Sequence, residues 1–145
     1  MRKYVFIGCG SFVGAIARYL LEQVKPAGSY GAIPLNTLVI NLTGAFLMGF
    51  LLTAMLDFWA VNADLRAGLT TGLLGAYTTF STMCKEASAL FFQSNALPAL
   101  LYLAVSASFG LAAVGLGILS ARAVGARSMR RRESEQPSAE EPEVD

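Results

Sequence analysis

The sequence predicts an all-α membrane protein of four transmembrane helices, and three observations carry that prediction. Of 145 residues, 54% are apolar. Of the 21 charged residues, 11 lie between Arg122 and Asp145, which leaves ten for the first 121 positions. Soluble domains carry about a quarter charged residues, so a body this poor in charge could not cover itself in water. Apolar stretches near the length a bilayer crossing requires, about 20 residues, recur four times.

The first stretch runs over about 4–21, behind Arg2 and Lys3. A signal peptide has the same outline, but the glycines that interrupt this run and the three spans that follow favour a retained helix. A turn-rich segment, Lys25 to Tyr30 with Pro26 and Gly28, leads to the second span at about 33–56. Its polar residues are Asn36, Thr37, Asn41, Thr43 and Thr53. A polar connection from Asp57 to Arg66 holds the single tryptophan, Trp59, a residue type favoured at the membrane interface.

The third span, about 67–92, is expected to break near its middle. Gly72 and Gly75 weaken the helix there, and the hydroxyls of Thr78, Thr79, Ser81 and Thr82 compete for its backbone hydrogen bonds. Gln93 to Ala96 forms a tight turn, Pro98 suits a first helical turn, and the fourth span covers about 97–121. Residues 122–145, basic and then acidic, are expected to be a disordered tail. Small residues at close-packing spacing (Gly10 with Gly14, Ala45 with Gly49, Gly68 with Gly72, Ser106 with Gly110) predict helices in close approach. Four helices of this length enclose little space, so an aqueous path through them calls for a second subunit.

Polar groups at membrane depth cost several kcal/mol when unpaired, roughly, so those present are paired or functional. Arg18 lies late in the first span, where it either snorkels to the interface or serves a vestibule. Asn41 is deeper, and its amide suits an interhelical tie or the ligation of an anion. Opening the helix at Gly75 would free carbonyls that a cation could satisfy. Tyr102 and Ser106, four apart, share one face of the last helix with Gly110, although the Ser106 hydroxyl could equally bond back to its own helix. Lys85 and Glu86 lie near the far end of the third span and suit a vestibule or an interface.

Several function classes fall away. Histidine is absent, and Cys9 and Cys84 sit within apolar runs, so neither imidazole metal ligation nor a disulfide framework is indicated. Gly8, Gly10 and Gly14 lack dinucleotide-binding spacing and a preceding strand. With no carboxylate pair in the membrane and no base near Cys84, no enzyme activity is expected. The formal net charge of +1 points to no partner, and no nucleic-acid partner is expected.

Three motifs carry a family resemblance. Gly8-Cys-Gly-Ser-Phe-Val-Gly-Ala-Ile-Ala-Arg18-Tyr19 resembles the glycine-rich first helix of the CrcB/Fluc fluoride channels. Asn36-Thr-Leu-Val-Ile-Asn41-Leu-Thr-Gly44-Ala-Phe-Leu-Met-Gly49 is similar to that family's second-helix signature, and Gly72-Leu-Leu-Gly75-Ala-Tyr-Thr78-Thr79-Phe80-Ser81-Thr82 to its third-helix break. The resemblance implies a passive fluoride-selective channel in the inner (plasma) membrane. It also implies two oppositely inserted copies forming an antiparallel, dual-topology homodimer, with a structural, untransported Na+ at the interface.

By the same resemblance, the backbone carbonyls of Gly75 and Thr78 would hold the sodium. Asn41, Phe80, Thr82, Tyr102 and Ser106 would line or approach the pores, with Arg18 nearby. Met83 stands where the family usually has a second phenylalanine, and a thioether lacks the positive ring edge that an aromatic offers an anion. The alternative weighed against this is a small proton-coupled multidrug-type transporter, which should carry a carboxylate within its first helix. Glu22 lies only at that helix's end.

Overall fold

A computed structural model describes residues 1–24, 34–93 and 96–135, with side chains placed as far as Arg130. The turn-rich segment from Lys25, the turn at 94–95 and the end of the acidic tail fall outside the described residues. All regular structure among the described residues is helical: α1 (Arg2–Gln23), α2 (Leu35–Asp57), α3 (Ala63–Ala67), a π-helical stretch (Gly68–Leu74), α4 (Gly75–Tyr77), α5 (Phe80–Gln93) and α6 (Ala96–Glu135).

Three of these, α1, α2 and α6, are long and apolar enough to cross a membrane. α1 has 22 residues and α2 has 23, about 33 and 35 Å at 1.5 Å per residue. α1 buries only Gly14, and large apolar side chains such as Phe12, Ile16, Phe109 and Leu111 face outward. Such a surface would be a liability in water and is ordinary in lipid. The chain is a membrane protein, helical throughout the regular structure of its described residues.

The helices pack as two layers joined by polar bonds. α1 lies along α3, the π-helical stretch and α4. The contact is made by glycines: a Cβ on Gly10 would run into the Gly68 carbonyl, and one on Gly14 into that of Leu73. α2 lies along α6 in the most extensive contact of the fold. There Gly49 meets the backbone of Val114, and Gly117 meets that of Phe46. The predicted small-residue positions Gly10, Gly14, Gly49, Gly68 and Gly72 are thus sites of close approach. Gly110 has open space beside it.

The third segment breaks as expected, but three residues later than Gly75. Gly75 is helical, at φ −65° and ψ −33°. Thr78 is extended, at φ −76° and ψ 156°, and ends α4. The glycines weaken the helix differently from the expectation: Gly68 to Leu74 widen into a π-helical stretch, a form that often marks functional sites. α5 then restarts at Phe80 with Thr79 ahead of it, whose hydroxyl accepts the Thr82 N–H at 3.2 Å. That is the bond an N-cap threonine makes.

The last helix corrects the sequence expectation. It does not stop at 121 before a disordered tail, but continues to Glu135. Residues 122–135 hold mostly good helix formers and no proline, the next being Pro137. The Phe58 ring packs against Gly125 so closely that a Cβ there would strike it, and Ala121 is buried.

Candidate functional site

The break between α4 and α5 is held open by one side chain from another helix. Asn41 of α2 donates from Nδ2 to the Thr79 carbonyl at 2.9 Å and accepts the Thr79 N–H on Oδ1 at 2.9 Å. Its amide thereby replaces a neighbouring peptide, satisfying both polar backbone groups of a residue only 5% exposed. Thr78 is fixed one residue earlier, its hydroxyl donating to the Leu74 carbonyl at 3.0 Å. Thr43 of α2 bonds Tyr77 through their hydroxyls at 2.8 Å. A Cβ on Gly44 would strike the Thr78 side chain, so α2 can approach the break only through a glycine here.

The break leaves the four carbonyls from Gly75 to Thr78 without their helical donors, those of Gly75 and Thr78 among them. In a continuous helix the Thr79 N–H would go to the Gly75 carbonyl and the Thr82 N–H to that of Thr78. Here the first goes to Asn41 and the second to the Thr79 hydroxyl. These are the two carbonyls the sequence nominated for a cation, and oxygen donors of this kind suit a hard ion.

Beside the break, α2, α5 and α6 enclose a groove of about 390 Å³. Asn41, Thr78, Thr79, Phe80 and Ser106 line it, together with Met48, Met83 and the open side of Gly110. Asn41 has a second amide N–H beyond the one given to Thr79. Phe80, at the start of α5, is 74% exposed, and Met83 follows one turn later. Ser106 spends its hydroxyl proton on the Tyr102 carbonyl at 2.7 Å, which is the back-bonding weighed from the sequence. It must rotate to donate to anything in the groove.

Three nominated residues lie elsewhere. Thr82 sits behind the break, accepting a hydrogen bond from the Thr79 hydroxyl at 2.9 Å. Tyr102 is 1% exposed and donates to Glu86 Oε2 at 2.8 Å. Arg18 is half-buried on α1, which takes no part in the groove.

The sequence reading missed two features. Thr37 of α2 donates to the other carboxylate oxygen, Glu86 Oε1, at 2.7 Å. Glu86 therefore ties α2, α5 and α6 together through two hydroxyls, while Lys85 beside it is exposed. Thr37 and Asn41 are four apart on one helix face, and that spacing was the available signal. Thr79 was read only as part of a hydroxyl run, although Thr79-x-x-Thr82 has the spacing of a capped helix start.

Residues 5–118 match the family model for CrcB-like proteins, described as "CrcB-like protein, Camphor Resistance (CrcB)". The chain belongs to the CrcB-like family. It is 44% identical over 120 residues to the fluoride-specific ion channel FluC 1 of Moorella thermoacetica, covering 82% of this chain and 85% of that protein. It is also 44% identical over 115 residues to fluoride-specific ion channel FluC 2 of Carboxydothermus hydrogenoformans, covering 79% and 84%. The FluC of Chlorobaculum tepidum, likewise named a fluoride-specific ion channel, is 38% identical over 122 residues, 84% of this chain and 96% of its own. The match to the CrcB-like model takes in Asn41, the break and the groove, and it stops before the arginines of the extended α6.

Proposed function

We propose that this CrcB-like protein is a fluoride-selective channel through which fluoride leaves the cytoplasm passively. It is a membrane transport protein and not an enzyme. One observation carries the reading: in a chain 44% identical to a protein named a fluoride-specific ion channel, a single groove gathers Asn41, Phe80 and Ser106. Fluoride is small and strongly hydrated, so a selective path must replace its water with hydrogen-bond donors. The second N–H of Asn41 is such a donor, and Ser106 becomes one by rotation. The positive edge of the Phe80 ring can face an anion, as its negative face cannot.

The proton-coupled transporter alternative has no support. Glu22 sits at the end of α1, and the carboxylate that does reach the interior, Glu86, is bonded to Thr37 and Tyr102. Fluoride release from loaded vesicles, followed with a fluoride electrode, tests the proposal. Release that is rapid and leaves chloride behind is expected, and rates equal to those of protein-free vesicles would refute it.

Assembly extends the same reading. The groove is open on one side and apolar residues flank it, an arrangement that a second copy would complete. We take that copy to be antiparallel, with the pieces α3 to α5 making the fourth crossing in each subunit, inserted in the inner membrane. A sodium ion bound by the carbonyls of Gly75 and Thr78 would supply a fixed positive charge that ties the breaks of the two copies together. A cysteine placed at Asn62, in a background lacking Cys9 and Cys84, should label from both sides of the membrane. Labelling from one side only, with no oppositely inserted relative in the host, would rule out the dual-topology homodimer.

A further inference from the structure

α6 is longer than a crossing requires. Ala96–Glu135 has 40 residues, about 60 Å at 1.5 Å per residue against a hydrocarbon core of about 30 Å. α6 begins shortly after α5 ends at Gln93, so the excess projects at the opposite end, beside the end of α2.

That projecting part has a fixed rotation. Ala121, Val124, Gly125 and Ser128, spaced as one helix face, line a cleft with Phe58 and Trp59 of the α2 end. Gly125 sits directly on the Phe58 ring. With that face committed, Arg122, Arg127 and Arg130 fall on the opposite side of the helix, within an arc of about 140° at 100° per residue. All three are exposed. Trp59, 49% exposed, marks the membrane interface at this level. α1 starts on the same side, since it packs along α3, and it brings the exposed Arg2 and Lys3.

From this arrangement we infer that the projecting part of α6 is a docking surface for the headgroups of anionic phospholipids, held by Arg122, Arg127 and Arg130. Guanidinium groups bind phosphate oxygens through paired N–H donors. Long arginine stems let the charges reach the headgroup layer. Position favours lipid over a soluble anion, because these arginines emerge directly from a membrane-spanning helix at the level of Trp59. The competing occupant is the chain's own acidic end, Glu140, Glu141, Glu143 and Asp145. Its carboxylates would have to enter the interface, where anionic lipid repels them.

The test uses the full chain in neutral detergent with added phosphatidylglycerol, reading lipid retained by native mass spectrometry and the shift in thermal melting. The wild type should retain phosphatidylglycerol and melt higher in its presence, less so as salt rises. R122Q/R127Q/R130Q should bind it about 100-fold more weakly, equivalent to about 3 kcal/mol at 1 kcal/mol per arginine. The corresponding triple lysine variant should keep most of the binding. Glutamine preserves helix propensity, and circular dichroism checks that α6 remains helical. The inference is overturned if the glutamine variant retains phosphatidylglycerol like the wild type, or if phosphatidylcholine or inorganic phosphate shifts the melt equally. Binding that appears only after residues 136–145 are removed would assign the arginines to the acidic end and overturn it as well.

Discussion

Asn41→Ala removes both hydrogen bonds that hold the Thr79 peptide outside a helix. Thr79 is 5% exposed, so water cannot replace the lost partners cheaply. A buried donor or acceptor left unsatisfied costs about 1–3 kcal/mol, so two give about 2–6 kcal/mol if nothing moves. Something can move: the Thr79 N–H lies one helical bond from the Gly75 carbonyl, and closing the helix there recovers one of the two. The expected loss is therefore about 1–3 kcal/mol of stability, accompanied by a shift of Phe80 and Thr78 away from the groove. Fluoride efflux should fall at least 100-fold, since the rearranged break removes both a donor and the aromatic edge.

Asn41→Asp gives a second reading. The carboxylate keeps the acceptor for the Thr79 N–H but cannot donate to the Thr79 carbonyl, and it sets a negative charge on the proposed anion path. As an uncompensated charge at membrane depth it should destabilise at least as much as alanine and abolish efflux. The assays are thermal melting of the purified protein and fluoride release from vesicles. Asn41→Ala with an unchanged melting temperature and efflux within twofold of wild type would refute the argument that this amide builds the groove.

Phe80→Ile should abolish efflux while changing stability by less than about 0.5 kcal/mol, because an exposed ring contributes little to packing; retained efflux in vesicles would remove Phe80 from the path. Gly14→Ala should destabilise by about 1–3 kcal/mol or more, since its Cβ meets the backbone of Leu73, which cannot yield as a flexible side chain would. Gly115→Ala, with open space around it, should be neutral or stabilise by up to about 1 kcal/mol, and equal melting temperatures for the two alanine variants would refute the packing argument. Sodium should raise the melting temperature above that in a bulky organic cation of equal ionic strength, and identical curves would count against an ion on the Gly75 and Thr78 carbonyls. Deletion of the protein should make its host fluoride-sensitive, more so at acid pH, and growth equal to the parent without a second exporter would contradict the export role.

The helices were legible because each is a long apolar run, and in lipid such runs have only helix available to them. The break was legible as a region but not as a residue. Glycine weakens a helix by backbone entropy, which pointed to Gly75, whereas the chain uses its glycines for contact with α1 and bends where Asn41 captures the Thr79 peptide. That capture joins residues 38 apart in sequence, and no local propensity contains it. The same holds for the end of α6, where arginines and glutamates read as disorder until Phe58 is placed against Gly125. Polar residues at membrane depth were found by cost alone, and cost does not say which partner offsets it. Glu86 was read as a vestibule or interface group, and its partners Thr37 and Tyr102 come to it from two other helices. Asn41 could be read as an interhelical tie or as an anion ligand, and both readings stay open, since the bonds that hold the break open occupy one N–H of a residue that lines the groove and its amide carries a second. Fold and site therefore share a residue, so any substitution at Asn41 that removes the donor also disturbs the wall it projects from.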